Sequence, residues 1–210
     1  MCILDVKVII ADDHPVVVFG IETVLAAAPR REFEVVGTAR NIPKLLTQLD
    51  NHDCDVLITD FSMPNGYLPD GLSLISRIRR DYPHVHIVLL TTLTSTHTLR
   101  ALLRLGVMGL YSKHESLAAL PRAARLAAAR RRYTSPNFQR LLNEPDDPPS
   151  PKELEVLRLL AKGLSSHDIA ALTLRSEKTI GRQKRNAMDK LGLVHDGALL
   201  DYVTGRDVTG

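Results

Sequence analysis

The chain has 210 residues, 44% of them hydrophobic, and its formal net charge is only +3. This length suits one large domain or two modest ones, and the apolar fraction is sufficient for real cores. No apolar run reaches the roughly 18 residues that a membrane-spanning helix needs, and no secretory signal is visible, so we expect a cytoplasmic protein that does not enter a membrane. Cys2 and Cys54 lack the spacing of metal ligands.

Short apolar runs alternate with helix-like segments through about residue 130. The runs predict strands at 6–11, 35–37, 56–59, 87–90 and 109–112. Apolar residues at helical spacing predict helices at 20–28, 43–51, 72–81, 98–105 and 117–132. This alternation is typical of a parallel sheet that helices cover on both faces, which gives an α/β domain at 1–132.

A change of composition follows this domain. Residues 144–151 contain four prolines among eight residues and almost nothing apolar, so they predict an extended linker. We place the linker at 133–149, with a short helix at 136–143 leading into it.

Residues 150–210 predict a compact, all-α domain with helices at 151–162, 167–172, 177–191 and 197–204. Ser150, Pro151 and Glu153 form the pattern of a capping box with proline at the first helical position. Ser165 or Ser166 can cap the second helix, and Ser176 the third. The second and third helices meet through a short turn, which predicts a helix-turn-helix.

Polar residues follow four of the predicted strands. Asp12 and Asp13 follow the first strand, Asp60 the third, Thr91 the fourth and Lys113 the fifth. Open parallel sheets bind ligands at the carboxyl ends of their strands, so we expect these side chains to converge there.

This combination of residues suits phosphoryl transfer to a carboxylate. Asp60 can act as the nucleophile and form an aspartyl-phosphate, and the three carboxylates offer the oxygen ligands that Mg²⁺ prefers. Lys113 and Thr91 can bind the phosphoryl oxygens of the product. Without a cation the clustered carboxylates repel one another, which raises the pKa of at least one of them.

At these positions the chain resembles the receiver domain of bacterial two-component response regulators. The string Asp12, Asp13, His14, Pro15 is similar to that of the NarL/FixJ branch. The resemblance implies a flavodoxin-like sheet with strand order 2-1-3-4-5, and Asp60 as phosphoacceptor. It further implies phosphoryl-binding and switch roles for two residues, Thr91 and Lys113, and metal ligands at Asp12, Asp13, Asp60 and Ser62.

The last sixty residues resemble the LuxR-type output domain. The resemblance is carried by the stretch 150–157, by Gly163, and by the short motifs 168–170, 178–180 and 190–192. Together with the loop at 63–71, it is similar to the capsule-synthesis regulators of that branch. It implies a transcriptional regulator phosphorylated by a histidine kinase or phosphotransfer protein, which dimerises when phosphorylated and binds double-stranded DNA. An auxiliary regulator is a further possible partner, as a heterodimer.

The charge distribution supports DNA binding independently. Residues 175–190 hold six basic and two acidic side chains, a net charge of +4 in a chain of +3. A helical projection places Ile180, Ala187 and Leu191 on one face. We therefore expect DNA contacts from the residues that project elsewhere: Lys178, Thr179, Arg182, Lys184 and Arg185. The two arginines suit base edges, and Lys178 and Thr179 suit phosphates.

Two alternatives remain open at this point. The receiver could act as a dimerisation module independently of phosphorylation, because Leu110 stands where receivers often carry an aromatic residue. The chain could also be an Asp-nucleophile phosphatase or phosphotransferase. Enzymes of the haloacid dehalogenase type, however, carry a second Asp two residues after the nucleophile, where this chain has Ser62. We therefore do not expect an enzyme that turns over an outside substrate.

Overall fold

A computed structural model describes residues 6–29, 32–63, 71–143 and 148–191, together with residues 193 and 199. The chain divides into two compact units, Met1–Thr92 with Ala101–Asn143, and Leu93–Arg100 with Glu144–Gly210. Up to Asn143 the elements are β1 (Val6–Ala11), α1 (Pro15–Ala26), β2 (Phe33–Ala39), α2 (Ile42–Asn51), β3 (Val56–Thr59), α3 (Gly71–Asp81), β4 (His86–Thr91), α4 (Thr96–Arg104), β5 (Gly109–Ser112), a 3-10 turn (Leu117–Ala119), α5 (Leu120–Ala128), β6 (Tyr133–Thr134) and α6 (Pro136–Asn143). The later helices are α7 (Pro151–Ala161), α8 (Ser166–Thr173) and α9 (Glu177–Leu191).

The strands form one parallel sheet in the order β2-β1-β3-β4-β5-β6. The expected order 2-1-3-4-5 is thereby confirmed, and a sixth strand extends the sheet beyond β5. Successive residues of the central strands, such as Val8, Ile9 and Ile10, are all fully buried. A strand buried on both faces requires cover on both faces, as expected for an α/β unit.

One face of the sheet packs against α1 and α5. Its core includes Val8, Ile10, Ile58, Val88, Leu90 and Tyr111 from the strands, and Ile21, Leu25, Leu120 and Ala124 from the helices. Tyr111 stacks on Tyr133 of β6, with ring centroids 5.9 Å apart. Leu110 is also fully buried, and because side chains alternate along a strand it points to the opposite face.

The predicted helix at 117–132 is interrupted in the structure. It divides into the 3-10 turn and α5, which ends at Ala128. Pro121 explains the division, because proline is tolerated in the first turn of a helix but not in its interior. Arg130 then adopts a positive φ of 55°, which is incompatible with a continuing helix.

Within the segment predicted as the linker, Tyr133–Thr134 forms β6, and the short helix predicted at 136–143 is confirmed as α6. Tyr133 and Thr134 pair with Gly109 and Leu110 of β5. The backbone N–H of Ser135 continues the pairing by donating to the carbonyl of Leu110 at 2.9 Å. This segment therefore belongs to the first unit, and the segment between the units begins after Asn143.

The helices of the second unit begin at the predicted caps. Ser150 and Glu153 form a complete capping box at α7, and Ser165 forms another with Asp168 at α8. The Ser176 hydroxyl accepts a hydrogen bond from the backbone N–H of Thr179 at 3.2 Å, at the start of α9. The predicted fourth helix, 197–204, lies outside the described residues apart from Leu199, which is buried.

Within the described part of the chain, no helix combines the length and the apolar character that crossing a bilayer requires.

The capping box of α7 predicts an acid-sensitive contribution to stability. Burial by itself raises the pKa of Glu153, but hydrogen bonds from Ser150 and an ion pair with Lys190 outweigh it and hold this pKa below its ordinary value of 4.5. The ionised carboxylate therefore stabilises the fold above that value, and its contribution is lost as the pH falls through the folded-state pKa. Glu153→Gln is expected to lower the free energy of unfolding by about 1 kcal/mol at neutral pH.

Urea unfolding of the full chain, followed by circular dichroism at neutral pH and at about pH 4, measures this effect. The difference between wild type and Glu153→Gln should shrink in acid. Glu155→Gln is the matched control, because Glu155 is half-exposed and pairs with Arg175 across 3.2 Å, a type of contact that contributes little. Equal losses in both variants would contradict a special role for Glu153.

Candidate functional site

The register of the sheet brings the carboxyl ends of β1, β3, β4 and β5 to one edge. Ala11 lies opposite Thr59, and Thr91 lies opposite Ser112. Backbone hydrogen bonds continue past the strands: the N–H of Asp60 donates to the carbonyl of Ala11 at 2.8 Å, and the N–H of Lys113 donates to that of Thr91 at 2.9 Å. The backbones of Asp60 and Lys113 are thus held by the neighbouring strands.

Lys113 lies between two carboxylates at this edge. Its Nζ is 2.7 Å from Asp12 Oδ2 and 2.7 Å from Asp60 Oδ2. The three side chains are only 15%, 1% and 12% exposed, respectively. The second oxygen of Asp60, Oδ1, accepts a hydrogen bond from the backbone N–H of Phe61 at 2.7 Å. The structure therefore brings Asp12, Asp60 and Lys113 into direct contact, as the strand-end pattern predicts.

The titration of these groups follows from their burial and pairing. Burial raises the pKa of Asp60, and the negative charge of Asp12 adds to this effect, while Lys113 opposes it. Burial lowers the pKa of Lys113, but its hydrogen bonds to Asp12 and Asp60 more than compensate, so that this pKa is raised overall. The Lys113 side chain therefore remains an ammonium throughout the physiological range.

Asp13 and His14 complete an acidic cluster with Asp12. His14 Nδ1 lies 2.7 Å from Asp13 Oδ1 and 3.2 Å from Asp12 Oδ1. The backbone N–H of His14 also donates to Asp12 Oδ1 at 2.9 Å. One potential ligand atom from each of the three residues lies within 4.8 Å of the others. Carboxylate oxygens grouped in this way have the donor chemistry of a site for a hard divalent cation.

Two further predicted residues lie at the same edge. Thr91 ends β4, which runs between the strands that precede Asp60 and Lys113, and it is buried. Ser62 follows Asp60 by two residues and is partly buried. Ser62 therefore lies close in sequence to the end of the strand that precedes Asp60, and Thr91 lies at the end of the strand beside it.

Helix α9 has a buried face and a basic face. Ile180, Ala187 and Leu191 are buried, as the helical projection predicts, and Met188 joins them. Lys178, Arg182 and Arg185 are exposed, whereas Thr179 and Lys184 are partly buried. Among the described residues, none of the three exposed cations has an ion-pair partner, so their charge is directed to solvent.

Two other basic residues of this stretch have internal roles that the sequence does not reveal. Arg175 contacts Glu155 at 3.2 Å and Gln183 at 3.4 Å. Lys190 contacts Glu153 at 3.2 Å, across 37 residues of sequence. Both side chains pair with glutamates of α7, and the local charge available to a nucleic acid is correspondingly smaller than the count of +4 implies.

Comparisons with known proteins match both parts of the chain to known families. Residues 8–125 match the response regulator receiver domain, and residues 148–203 match the bacterial regulatory proteins of the luxR family. The chain is 39% identical to the transcriptional regulatory protein RcsB of Escherichia coli K12 over 206 residues, covering 95% of this chain and 94% of that protein. It is 32% identical to the oxygen regulatory protein NreC of Staphylococcus haemolyticus, covering 93% and 95%.

Solved structures of RcsB are similar along the whole chain. A structure of two RcsB dimers bound to two parallel DNAs matches with a TM-score of 0.70 and 40% identity, covering 95% of this chain and 98% of that one. RcsB of Salmonella enterica serovar Typhimurium, bound to a promoter in the presence of the phosphomimetic BeF3⁻, matches with a TM-score of 0.71 and 40% identity, covering 96% and 99%.

The shared ammonium of Lys113 predicts a measurable dependence of stability on cations. Lys113→Met keeps the apolar stem but leaves the carboxylates of Asp12 and Asp60 facing each other without a counter-charge. The free energy of unfolding is expected to fall by about 3 kcal/mol when EDTA is present, because buried charges are left unpaired. Millimolar Mg²⁺ should recover more stability in this variant than in wild type, since the cation replaces the missing positive charge.

Urea unfolding with EDTA and with Mg²⁺ measures both effects. Lys7→Met is the matched control, because Lys7 pairs with Asp53 at 3.0 Å on the exposed surface and such pairs contribute less than about 1 kcal/mol. A loss in Lys113→Met no larger than in Lys7→Met would show that the buried pairing contributes nothing to stability.

Proposed function

Because the chain belongs to the response regulators that join a receiver domain to a LuxR-type DNA-binding domain, we propose that phosphorylation of Asp60 controls its binding to DNA. The single observation that carries this proposal is the contact of one ammonium, that of Lys113, with the carboxylates of Asp12 and Asp60. The Asp60 carboxylate, the proposed nucleophile, lies beside this positive charge at the edge where open parallel sheets bind ligands.

The reaction takes a phosphoryl group from a phosphohistidine of a kinase or phosphotransfer protein. An Asp60 oxygen forms the new bond to phosphorus, the bond from phosphorus to the histidine nitrogen breaks, and the histidine leaves. The Lys113 ammonium neutralises negative charge on the phosphoryl oxygens. The Thr91 hydroxyl donates a hydrogen bond to one of them.

The acidic cluster suits Mg²⁺, with Asp12, Asp13, Asp60 and Ser62 as its proposed protein ligands. Mg²⁺ prefers oxygen ligands and binds through one or two carboxylates together with phosphate oxygens. When bound, it neutralises charge on the phosphoryl group. The protein supplies the rest of the site: Asp60 is held through the backbone N–H of Phe61, and Asp12 through that of His14.

The output of the switch is a dimer on DNA. Two copies of α9 can then read half-sites about one helical turn apart, as dimeric helix-turn-helix proteins do. The RcsB structures bound to DNA as dimers support this arrangement for a relative. A regulator that binds bacterial chromosomal DNA and receives its phosphoryl group from a kinase works in the cytoplasm.

The exposed cations of α9 divide into two roles. Arg182 and Arg185 contact base edges, because a guanidinium can bind guanine O6 and N7 with two hydrogen bonds. Lys178 and Thr179 lie in the first turn of α9 and contact phosphates of the DNA. The side chain of Lys184 is partly buried along its apolar part, and its ammonium reaches a phosphate of the DNA backbone.

The contacts of Lys113 with Asp12 and Asp60, and the similarity to RcsB bound to DNA with the phosphomimetic BeF3⁻, support this proposal over a receiver that works independently of phosphorylation.

The switch predicts a change of mass that depends on Asp60. Beryllofluoride with Mg²⁺ mimics an aspartyl-phosphate, so it should shift wild type from monomer to dimer and raise its affinity for DNA. Asp60→Ala should remain monomeric under both conditions. Light scattering and a DNA-binding titration measure the two responses.

Asp53→Ala is the control for this experiment, because Asp53 is exposed and pairs with Lys7. It should behave as wild type. Dimerisation of Asp60→Ala by beryllofluoride, to the same extent as wild type, would rule out Asp60 as the switch.

The DNA contacts predict two different losses. Arg185→Ala should weaken binding to the specific site by about 1–3 kcal/mol and relax the choice of base. Lys178→Ala should weaken binding to all sequences. It should also reduce the slope of log affinity against log salt concentration by about one. Fluorescence anisotropy on specific and scrambled duplexes at several salt concentrations separates these effects.

Arg122→Ala removes the same charge from an exposed position of α5 and serves as the control for net charge. If Arg122→Ala weakens specific binding as much as Arg185→Ala does, α9 is not the surface that reads DNA.

A further inference from the structure

The turn that follows β5 is tied to the beginning of α6 by side-chain hydrogen bonds. The backbone N–H of Asn137 donates to Glu115 Oε1 at 2.7 Å, and Asn137 Nδ2 donates to Ser112 Oγ at 3.2 Å. The backbone N–H of Ser112 in turn donates to Ser135 Oγ at 3.2 Å. These bonds join residues more than 20 positions apart in sequence, and all of them lie within the first unit.

Glu115 caps the first turn of α6, while the hydroxyl of Ser135, the residue before the helix, accepts a hydrogen bond from the N–H of Ser112. Asn137 is the second residue of the helix, where a backbone N–H has no acceptor within the helix. A carboxylate at this position satisfies the N–H with a charge-assisted hydrogen bond and also interacts favourably with the helix dipole. The start of α6 therefore depends on the position of a turn that belongs to another part of the sheet.

The same turn carries Lys113. Its conformation is compact, because the N–H of Glu115 donates to the carbonyl of Ser112 at 3.1 Å and the N–H of His114 donates to Ser112 Oγ at 3.3 Å. Only one residue separates Lys113 from Glu115. A displacement of the Lys113 backbone is thus passed to Glu115 without a flexible segment to absorb it.

Modification of Asp60 alters the contact that holds Lys113 in place. The ammonium lies 2.7 Å from Asp60 Oδ2, whereas Asp60 Oδ1 is occupied by the N–H of Phe61. A phosphoryl group on Oδ2 displaces the ammonium from that oxygen to the phosphoryl oxygens, which lie further from the carboxylate carbon. The Lys113 ammonium must then leave Oδ2, and the turn is the part of the backbone to which this displacement is transmitted first.

We propose that Glu115 and Asn137 form a latch through which the state of Asp60 controls α6, the last helix before the proline-rich segment that leads to α7. The latch is closed when Lys113 contacts Asp60 directly, and it opens when Lys113 engages a phosphoryl group. Glu115 is a positioning residue, since it acts through the backbone of α6. This inference rests on the proposed phosphorylation of Asp60.

Amide hydrogen exchange of the full chain, measured by NMR with and without beryllofluoride and Mg²⁺, tests the latch. In wild type, the amide of Asn137 should exchange about tenfold faster once the site is loaded, because it loses a charge-assisted hydrogen bond. In Glu115→Ala this amide should exchange fast in both conditions. In Glu115→Gln, whose amide oxygen still accepts a hydrogen bond, part of the response should return.

Gln139→Ala is the matched control on α6, because its side chain donates to the carbonyl of Thr134 rather than to the turn. It should keep the wild-type response. Affinity for DNA gives a second readout: in Glu115→Ala it should no longer respond to beryllofluoride, although the amides around Asp60 still do.

The outcomes separate the latch from the proposed function. A response at the amides around Asp60 with none at Asn137 in wild type overturns the latch alone. A wild-type response at Asn137 in Glu115→Ala also overturns it. No response around Asp60 overturns the phosphorylation switch and the latch together.

Discussion

The contact of one ammonium with two buried carboxylates is the constraint on which the receiver unit depends. Asp12 is almost fully buried at the end of a central strand, where an ionised side chain is costly unless a positive charge lies beside it. Lys113 provides that charge, and the strand register brings it there. Burial and the charge of Asp12 raise the pKa of Asp60, while Lys113 opposes them. The charges that hold this edge of the sheet together are thus also those of the proposed phosphorylation site.

Two groups of basic residues can be distinguished in the second unit, those that pair with an acidic residue of the unit and those that are exposed to solvent. Arg175 and Lys190 are used within the unit, where they pair with Glu155 and Glu153. Lys178, Arg182 and Arg185 stay at the surface, where they cost no desolvation and retain a field that reaches a polyanion. Lys190 of α9 therefore contacts α7, whereas Lys178, Arg182 and Arg185 of the same helix remain exposed to solvent.

Much of the architecture could be predicted because it depends on local patterns. Strands β1, β3 and β5 begin and end at the predicted residues, since each short, mainly apolar run is followed by a charged residue: Asp12, Asp60 or Lys113. Helix α9 also has its predicted bounds, with Ser176 at its start. The convergence of Asp12, Asp60 and Lys113 followed from the rule that parallel strands share one carboxyl edge.

The features that the sequence did not reveal depend on contacts between distant residues. Strand β6 has only two residues, so it carries no periodicity, and its pairing with β5 is visible only in three dimensions. To predict the interruption of the helix at 117–132, one must know that Pro121 lies in the first turn of a new helix and not in the interior of a longer one. The capping of α6 by Glu115 likewise joins two segments whose neighbourhood no local pattern indicates.

Strand β6 has a consequence for the solubility of the isolated receiver unit. Without it, β5 would present unpaired N–H and C=O groups along its outer side, and such an edge is a template for intermolecular β-pairing. The loss of Tyr133 would also uncover the ring of Tyr111, and the loss of α6 would remove Phe138 from its buried position. A fragment that stops at residue 132 is therefore expected to aggregate, whereas one that continues to Asn143 retains the pairing of β6 with β5.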